Sequence, residues 1–109
     1  MDLKGSIKYL KPYYTLVHQE TLTHQETYIK FINWVSGEFD LYLQEKTEGL
    51  KIYYPNVYFN IKNIANSGQE IKLQITILSR SKEICYKINK QLQSIFNQII
   101  QIYNNQSRK

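Results

Sequence analysis

The spacing of apolar residues changes from period two to period three-and-a-half near the end of the chain, and this sets the two clearest elements. Ile84, Ile88, Leu92, Ile95, Ile99 and Ile102 recur at steps of three and four, which is one face of a helix. Cys85, Phe96 and Tyr103 widen that stripe, so the spacing predicts a long amphipathic helix over residues 81–103, lying on something broad such as a sheet. Ser79 or Ser81 can cap its first turn, and Glu83 suits the positive end of the helix. Just upstream, Ile71, Leu73, Ile75 and Ile77 alternate with Lys72, Gln74 and Thr76, the pattern of a strand over 71–78 with one dry face and one wet face.

The rest of the chain is read from shorter signals. Leu50–Tyr54 and Val57–Ile61 are rich in strand-forming residues and flank Pro55-Asn56, which predicts a hairpin; Asn66-Ser67-Gly68 marks another turn. Phe39, Leu41 and Leu43 alternate with polar neighbours and allow a strand, and residues 44–49 read as a solvated loop. Ser6–Leu10, between Gly5 and Pro12, reads as a brief first strand. Pro12 then fits the first turn of a helix, where its missing N–H costs nothing. Tyr13, Leu16 and Val17, and later Tyr28, Phe31, Ile32 and Val35, keep helical spacing, with Gly37 placed to end the run. Residues 12–36 are therefore expected to be one helix, or two with a break near Thr21-Leu22-Thr23. The expectation is a single α+β domain over residues 1–109, in which one antiparallel sheet of three to four strands is covered on one face by an N-terminal helical region and a long C-terminal helix, with 104–109 a frayed polar tail.

Composition narrows the function classes. A chain of 109 residues with 42% hydrophobic content is of single-domain size and can bury a core. No apolar run approaches the roughly 20 residues that span a bilayer, and the start, Met1 to Gly5, lacks an apolar run of signal-peptide length. A single cysteine, Cys85, excludes an internal disulfide and suits a reducing cytosol. Ile, Lys, Tyr and Asn supply 46 residues, a bias that A/T-rich codons produce without selection for function, so the net charge of +5 says less about a polyanion partner than usual. The distribution says more: residues 1–50 carry net −2 and residues 51–109 net +7.

No arrangement of catalytic residues stands out. The tandem His-Gln-Glu-Thr at His18–Thr21 and His24–Thr27 contains residues that ligate zinc, but on a helix six residues advance about 600°, which leaves His18 and His24 roughly 120° apart. The His-Glu-x-x-His pair is absent, so a polar helix surface or break is the expected role. Cys85 lies in the first turns of a helix, where a thiol can be activated, yet it borders the apolar stripe and reads as a core residue. The aspartates are Asp2 and Asp40, which form no evident carboxylate pair, and the isolated glycines form no phosphate-binding loop. Lysines and tyrosines alternate in the predicted strands. Lys51, Tyr53, Tyr58, Lys62 and Lys72 are the candidate surface for stacking and holding single-stranded nucleic acid, although both residue types also serve ordinary strands. No catalytic residue, metal ligand or cofactor site is expected.

The order of motifs, with Gly5, Ile7 and Tyr9 in a first strand, Val35-Ser36-Gly37 after a helix, Gly49-Leu50-Lys51-Ile52, an alternating strand and Leu92-Gln93 in the last helix, resembles the alkaline shock protein family of Gram-positive bacteria and their wall-less relatives. The chain departs from that pattern in the His-Gln-Glu-Thr repeat, in lacking a proline before the last helix, and in a longer segment from Tyr53 to Ser67. The resemblance implies a small non-enzymatic α+β domain tied to envelope stress or to assembly at the membrane through a protein partner. The expected function is thus a non-catalytic cytosolic scaffold, peripheral to the membrane through that partner and without inserting itself. The alternative is a small basic protein that binds single-stranded nucleic acid.

Overall fold

A computed structural model describes residues 5–46, 49–54, 56–67 and 70–107. The elements are β1 (Gly5–Leu10), β2 (Tyr13–Leu22), α1 (Gln25–Glu38), β3 (Leu43–Glu45), β4 (Leu50–Tyr54), β5 (Val57–Ser67), β6 (Glu70–Ser79) and α2 (Lys82–Ser107). The class is α+β as expected, but the sheet has six strands rather than three to four, all antiparallel, in the order β1-β2-β6-β5-β4-β3. No helix among the described residues is long and apolar enough to cross a membrane.

The two extra strands correct the reading of the N-terminal half. Residues 13–22 are not helical but form β2, which pairs with β1 on one side and with β6 on the other. Tyr13, Leu16 and Val17 fit helical spacing, but Leu16, His18 and Leu22 are also two or four residues apart, and these are the buried positions. Two periods fit the same short run, and pairing with β6 selects the extended one. Pro12, expected in a first helical turn, sits instead in the tight turn between β1 and β2 after a cis Lys11-Pro12 bond. The expected helix is thereby shortened to α1, which does bury Tyr28, Phe31 and Val35 as their spacing implies. Gly37 does not end it: α1 runs through Gly37 to Glu38 and closes at Phe39, whose N–H donates to the Val35 carbonyl (3.1 Å). The third strand, β3, covers Leu43–Glu45, partly within the segment expected as loop.

The other predicted elements are present. β4 and β5 form the expected hairpin; Asn56 has φ 65° at its turn, while Pro55 lies outside the described residues, as do Gly68 of the second turn and Arg108–Lys109 of the tail. β6 alternates as read, with Ile71, Leu73, Ile75 and Ile77 buried. The alternatives for the last cap resolve to Ser81, whose Oγ accepts the Ile84 N–H (3.3 Å), while Ser79 Oγ accepts the Ser81 N–H (3.1 Å). α2 continues to Ser107, so residues 104–107 belong to the helix rather than to a frayed tail. Its buried stripe stops at Ile99, and Ile102 is 40% exposed.

Both helices lie on the same face of the sheet. Phe31 of α1 meets Phe96 of α2 edge-to-face with centroids 5.5 Å apart, and Phe39 packs on Phe59 at 5.1 Å. Leu92 is fully buried in this layer, so Leu92→Ala should cost about 2–5 kcal/mol in denaturant unfolding. Gly49 enters β4 at φ 109°, where a Cβ would collide with the Ile61 carbonyl oxygen. Gly49→Ala should therefore destabilise by about 1–3 kcal/mol, the usual cost of backbone strain, read in the same assay.

Candidate functional site

With both helices on one face, the other face of the sheet is open, and the strand period decides what it presents. Leu50, Ile52, Val57, Phe59 and Ile61 point into the core, so Lys51, Tyr53, Tyr58, Asn60 and Lys62 point outward. On β6 the outward residues are Lys72, Gln74, Thr76 and Leu78, and on β2 they are Tyr13, Thr15, Val17, Gln19 and Thr21. All five residues singled out from the sequence, Lys51, Tyr53, Tyr58, Lys62 and Lys72, therefore share this face. Lys87 and Lys90, which add to the charge of the second half, are exposed on α2 and so lie on the opposite side of the molecule.

The register arranges the face in rows. Thr15, Leu78, Tyr58 and Tyr53 make one row across four strands. The next holds Val17, Thr76, Asn60 and Lys51, the next Gln19, Gln74 and Lys62, and the last Thr21, Lys72 and, past a bulge in β5, Ala65. Lys51, Lys62 and Lys72 thus step down one row and across one strand at a time. With rows about 7 Å apart and strands about 4.8 Å apart, each step is about 8 Å. That diagonal begins beside the tyrosine row. Among the described residues, the strand positions facing outward carry Lys8, Lys51, Lys62 and Lys72 against Glu45 and Glu70, and Arg80 follows directly after β6.

The aromatic end is held in place. Tyr53 and Tyr58 rings are 4.9 Å apart and inclined by 37°. Tyr53 Oη–H donates to Glu45 Oε1 (3.0 Å), which raises the Tyr53 phenol above its ordinary value, and Asn60 Nδ2–H donates to Tyr58 Oη (2.9 Å). Arg80 stands with its guanidinium carbon 5.7 Å from the Tyr13 ring centre. Tyr13, Arg80, Tyr53 and Tyr58, with Leu78, line a recess of about 570 Å³. The helical spacing of Tyr13, Leu16 and Val17 hides Tyr13, and with it Arg80, from the sequence; the even spacing of Leu16, His18 and Leu22 is the signal that puts Tyr13 on the opposite face of a strand.

The His-Gln-Glu-Thr repeat separates into two environments. His18 is buried in β2, with Nε2–H donating to Glu20 Oε2 (2.6 Å) and Nδ1 lying 2.9 Å from Asn89 Oδ1 on α2. The second contact needs either another ring proton or the Asn89 amide turned so that its NH₂ donates. His24 precedes α1 at the surface, with Nδ1 3.0 Å from Thr23 Oγ1. The two histidines do not converge, and the reason is a strand followed by a turn, not the helical offset expected. Among the described residues no three His, Cys, Asp or Glu side chains gather as metal ligands. His18 and Asn89 are 1% and 0% exposed, so this network ties α2 to the sheet out of reach of solvent.

Cys85 is also fully buried, with Sγ 3.6 Å from the Tyr14 carbonyl oxygen, and burial pushes its thiol pKa up. Its thiolate is therefore scarce and shielded. Native protein should react with a soluble aromatic disulfide reagent at least about 100-fold more slowly than denaturant-unfolded protein, as followed by thiolate absorbance, since reaction must await opening. No family model matches the chain, and no curated protein matches it; the functional reading rests on the chemistry of the open face.

Proposed function

We propose that this is a non-catalytic binding protein whose open sheet face holds single-stranded nucleic acid. The observation that carries this reading is the convergence of Lys51, Lys62 and Lys72 on one diagonal that leads away from the Tyr53–Tyr58 pair. A single strand offers a regular row of phosphates and bases free to stack, and lysine steps of about 8 Å with aromatic rings at one end match both requirements. Threonine, asparagine and glutamine between the lysines add donors without adding negative charge. The alkaline-shock-like scaffold reading has its own support in apolar residues at the sheet edges: Leu10 on β1 and Leu43 on β3 are 67% and 70% exposed. In either case the chain acts by binding, in the cytosol, and takes no cofactor.

Salt and side-chain variants separate the two readings. About three phosphates neutralised by lysines give a log–log salt slope near −2, and Lys62→Ala should reduce its magnitude by about 0.7 while weakening all sequences alike. Tyr58→Ala should cost about 1–3 kcal/mol for a stacked base and leave the slope unchanged. The assay is anisotropy of a labelled oligonucleotide at low and at physiological salt. Binding that vanishes by physiological salt and ignores Tyr53→Ala and Tyr58→Ala in folded protein would be ionic attraction alone, and the scaffold reading would replace this one.

A further inference from the structure

The two edges of the sheet lack a strand partner among the described residues, and they are unlike. β3 has three residues and ends in Glu45, the short and charged kind of edge that resists pairing. β1 has six, pairs with β2 without a register shift from Gly5 to Leu10, and carries one charged residue, Lys8. Lys11 and Pro12 alone separate Leu10 from Tyr13, so that closing pair of the hairpin exchanges both of its backbone hydrogen bonds. Counting back in twos, Lys8 and Ser6 also bond to β2, while Gly5, Ile7 and Tyr9 aim their N–H and C=O groups at the free edge. Those three residues share the helix-facing side, since Ile7 stands opposite Leu16 and Tyr9 opposite Tyr14. α2 lies over β2 and β6, and at the rim of that layer Ile7 is half-buried and Tyr9 is 54% exposed.

We propose that β1 pairs antiparallel with β1 of a second copy of the chain, about a two-fold axis at Ile7, joining the two sheets edge to edge. Ile7 then stands opposite Ile7, Tyr9 opposite Gly5 and Lys8 opposite Ser6. The free N–H and C=O groups of Gly5, Ile7 and Tyr9 all meet partners in this register. The Tyr9 ring of each copy covers the bare backbone of Gly5 in the other, a pairing that shields edge glycines, and the two Ile7 side chains close the apolar rim. An axis moved by one residue, to Lys8, would set two lysines against each other and leave the Gly5 groups unmatched within β1. The strand is thus complementary to itself in one register, which is what an isologous contact requires and what singles out a second copy as the occupant. The axis stands perpendicular to the sheet at the joint, so both helix layers lie on one side and both open faces on the other. The pairing does not depend on what those faces bind.

A joint of one strand from each copy is small, so the dimer should be reversible and its population should rise with concentration. Sedimentation equilibrium of the intact chain from about 1 to about 500 µM should give a mass that climbs from one chain towards two. Ile7→Lys places like charges on the axis and should weaken association about fivefold or more while the circular dichroism spectrum stays unaltered. Ile7→Cys keeps a small apolar side chain and should form an interchain disulfide on mild oxidation, because a hydrogen-bonded antiparallel pair sets its Cα atoms about 5.5 Å apart. In Lys8→Cys the two thiols sit on a diagonal of about 7–8 Å and should cross-link at least about tenfold more slowly. Cys85 is buried and stays out of the reaction. A chain that remains monomeric across this range would overturn the second copy as occupant, in favour of an extended segment of another protein. Association unchanged by Ile7→Lys in folded protein, or cross-linking faster in Lys8→Cys than in Ile7→Cys, would overturn the pairing about Ile7.

Discussion

The pairing of β2 with β6 is the constraint on which the rest of the molecule depends. It runs from Tyr14 opposite Ser79 to Leu22 opposite Ile71 and joins the N-terminal hairpin to the β3–β6 meander. Without it, β1 and β2 would be an isolated two-stranded ribbon, which is marginal in water. With it, Leu16 and Leu22 join the isoleucines of β6 in one apolar surface, and α2 covers the joint. Because β6 leads directly into α2 through Ser79–Ser81, the capped start of the helix fixes where that cover begins.

The joint also holds the most unusual interior chemistry of the chain. Asn89 and Gln93 occupy successive turns of α2 inside the core, and His18, held by Glu20, reaches Asn89 from the helix-facing side of β2. Asn89 Nδ2 and Gln93 Oε1 have no hydrogen-bond partner among the described residues, while Gln93 Nε2–H donates to Asn97 Oδ1 (3.1 Å). Buried polar groups cost free energy unless paired, and a wrong register leaves more of them unpaired. Sliding β2 by one residue would turn His18 and Glu20 to the open face and strip Asn89 of its contact. The network thus fixes one alignment of helix and strand, which apolar packing alone specifies less sharply.

The same register composes the outer surface. Every residue that turns inward to build the core sends its neighbours outward, so the order of strands decides which lysines and tyrosines meet. Tyr13 and Tyr58 are 45 positions apart in sequence yet flank a single strand. A surface with fixed rings and spaced cations gains affinity mainly by not having to order its own side chains when a partner arrives.

Much of this was written in local sequence. The α2 stripe, the strict alternation of β6, and the turn residues between β4 and β5 each have one period or one turn chemistry that fits them, and the structure agrees. The outward placement of Lys51, Tyr53, Tyr58, Lys62 and Lys72 followed from the same alternation. Residues 13–22 are different, because a short run of Tyr, Thr, Leu and Val satisfies helix and strand spacing alike, and only the partner strand, 49 to 65 residues away, removes the ambiguity. β2 fits helical spacing as well, and β3 is a three-residue edge strand whose existence depends on its neighbour, so six strands stand where local signals supported three or four. Proximity of His18 to Asn89, and of Tyr13 to Arg80 and Tyr58, is likewise set by strand order. Sequence periodicity fixes which side of an element is dry; only tertiary pairing fixes which elements lie next to one another, because that choice is made by the total area they bury together.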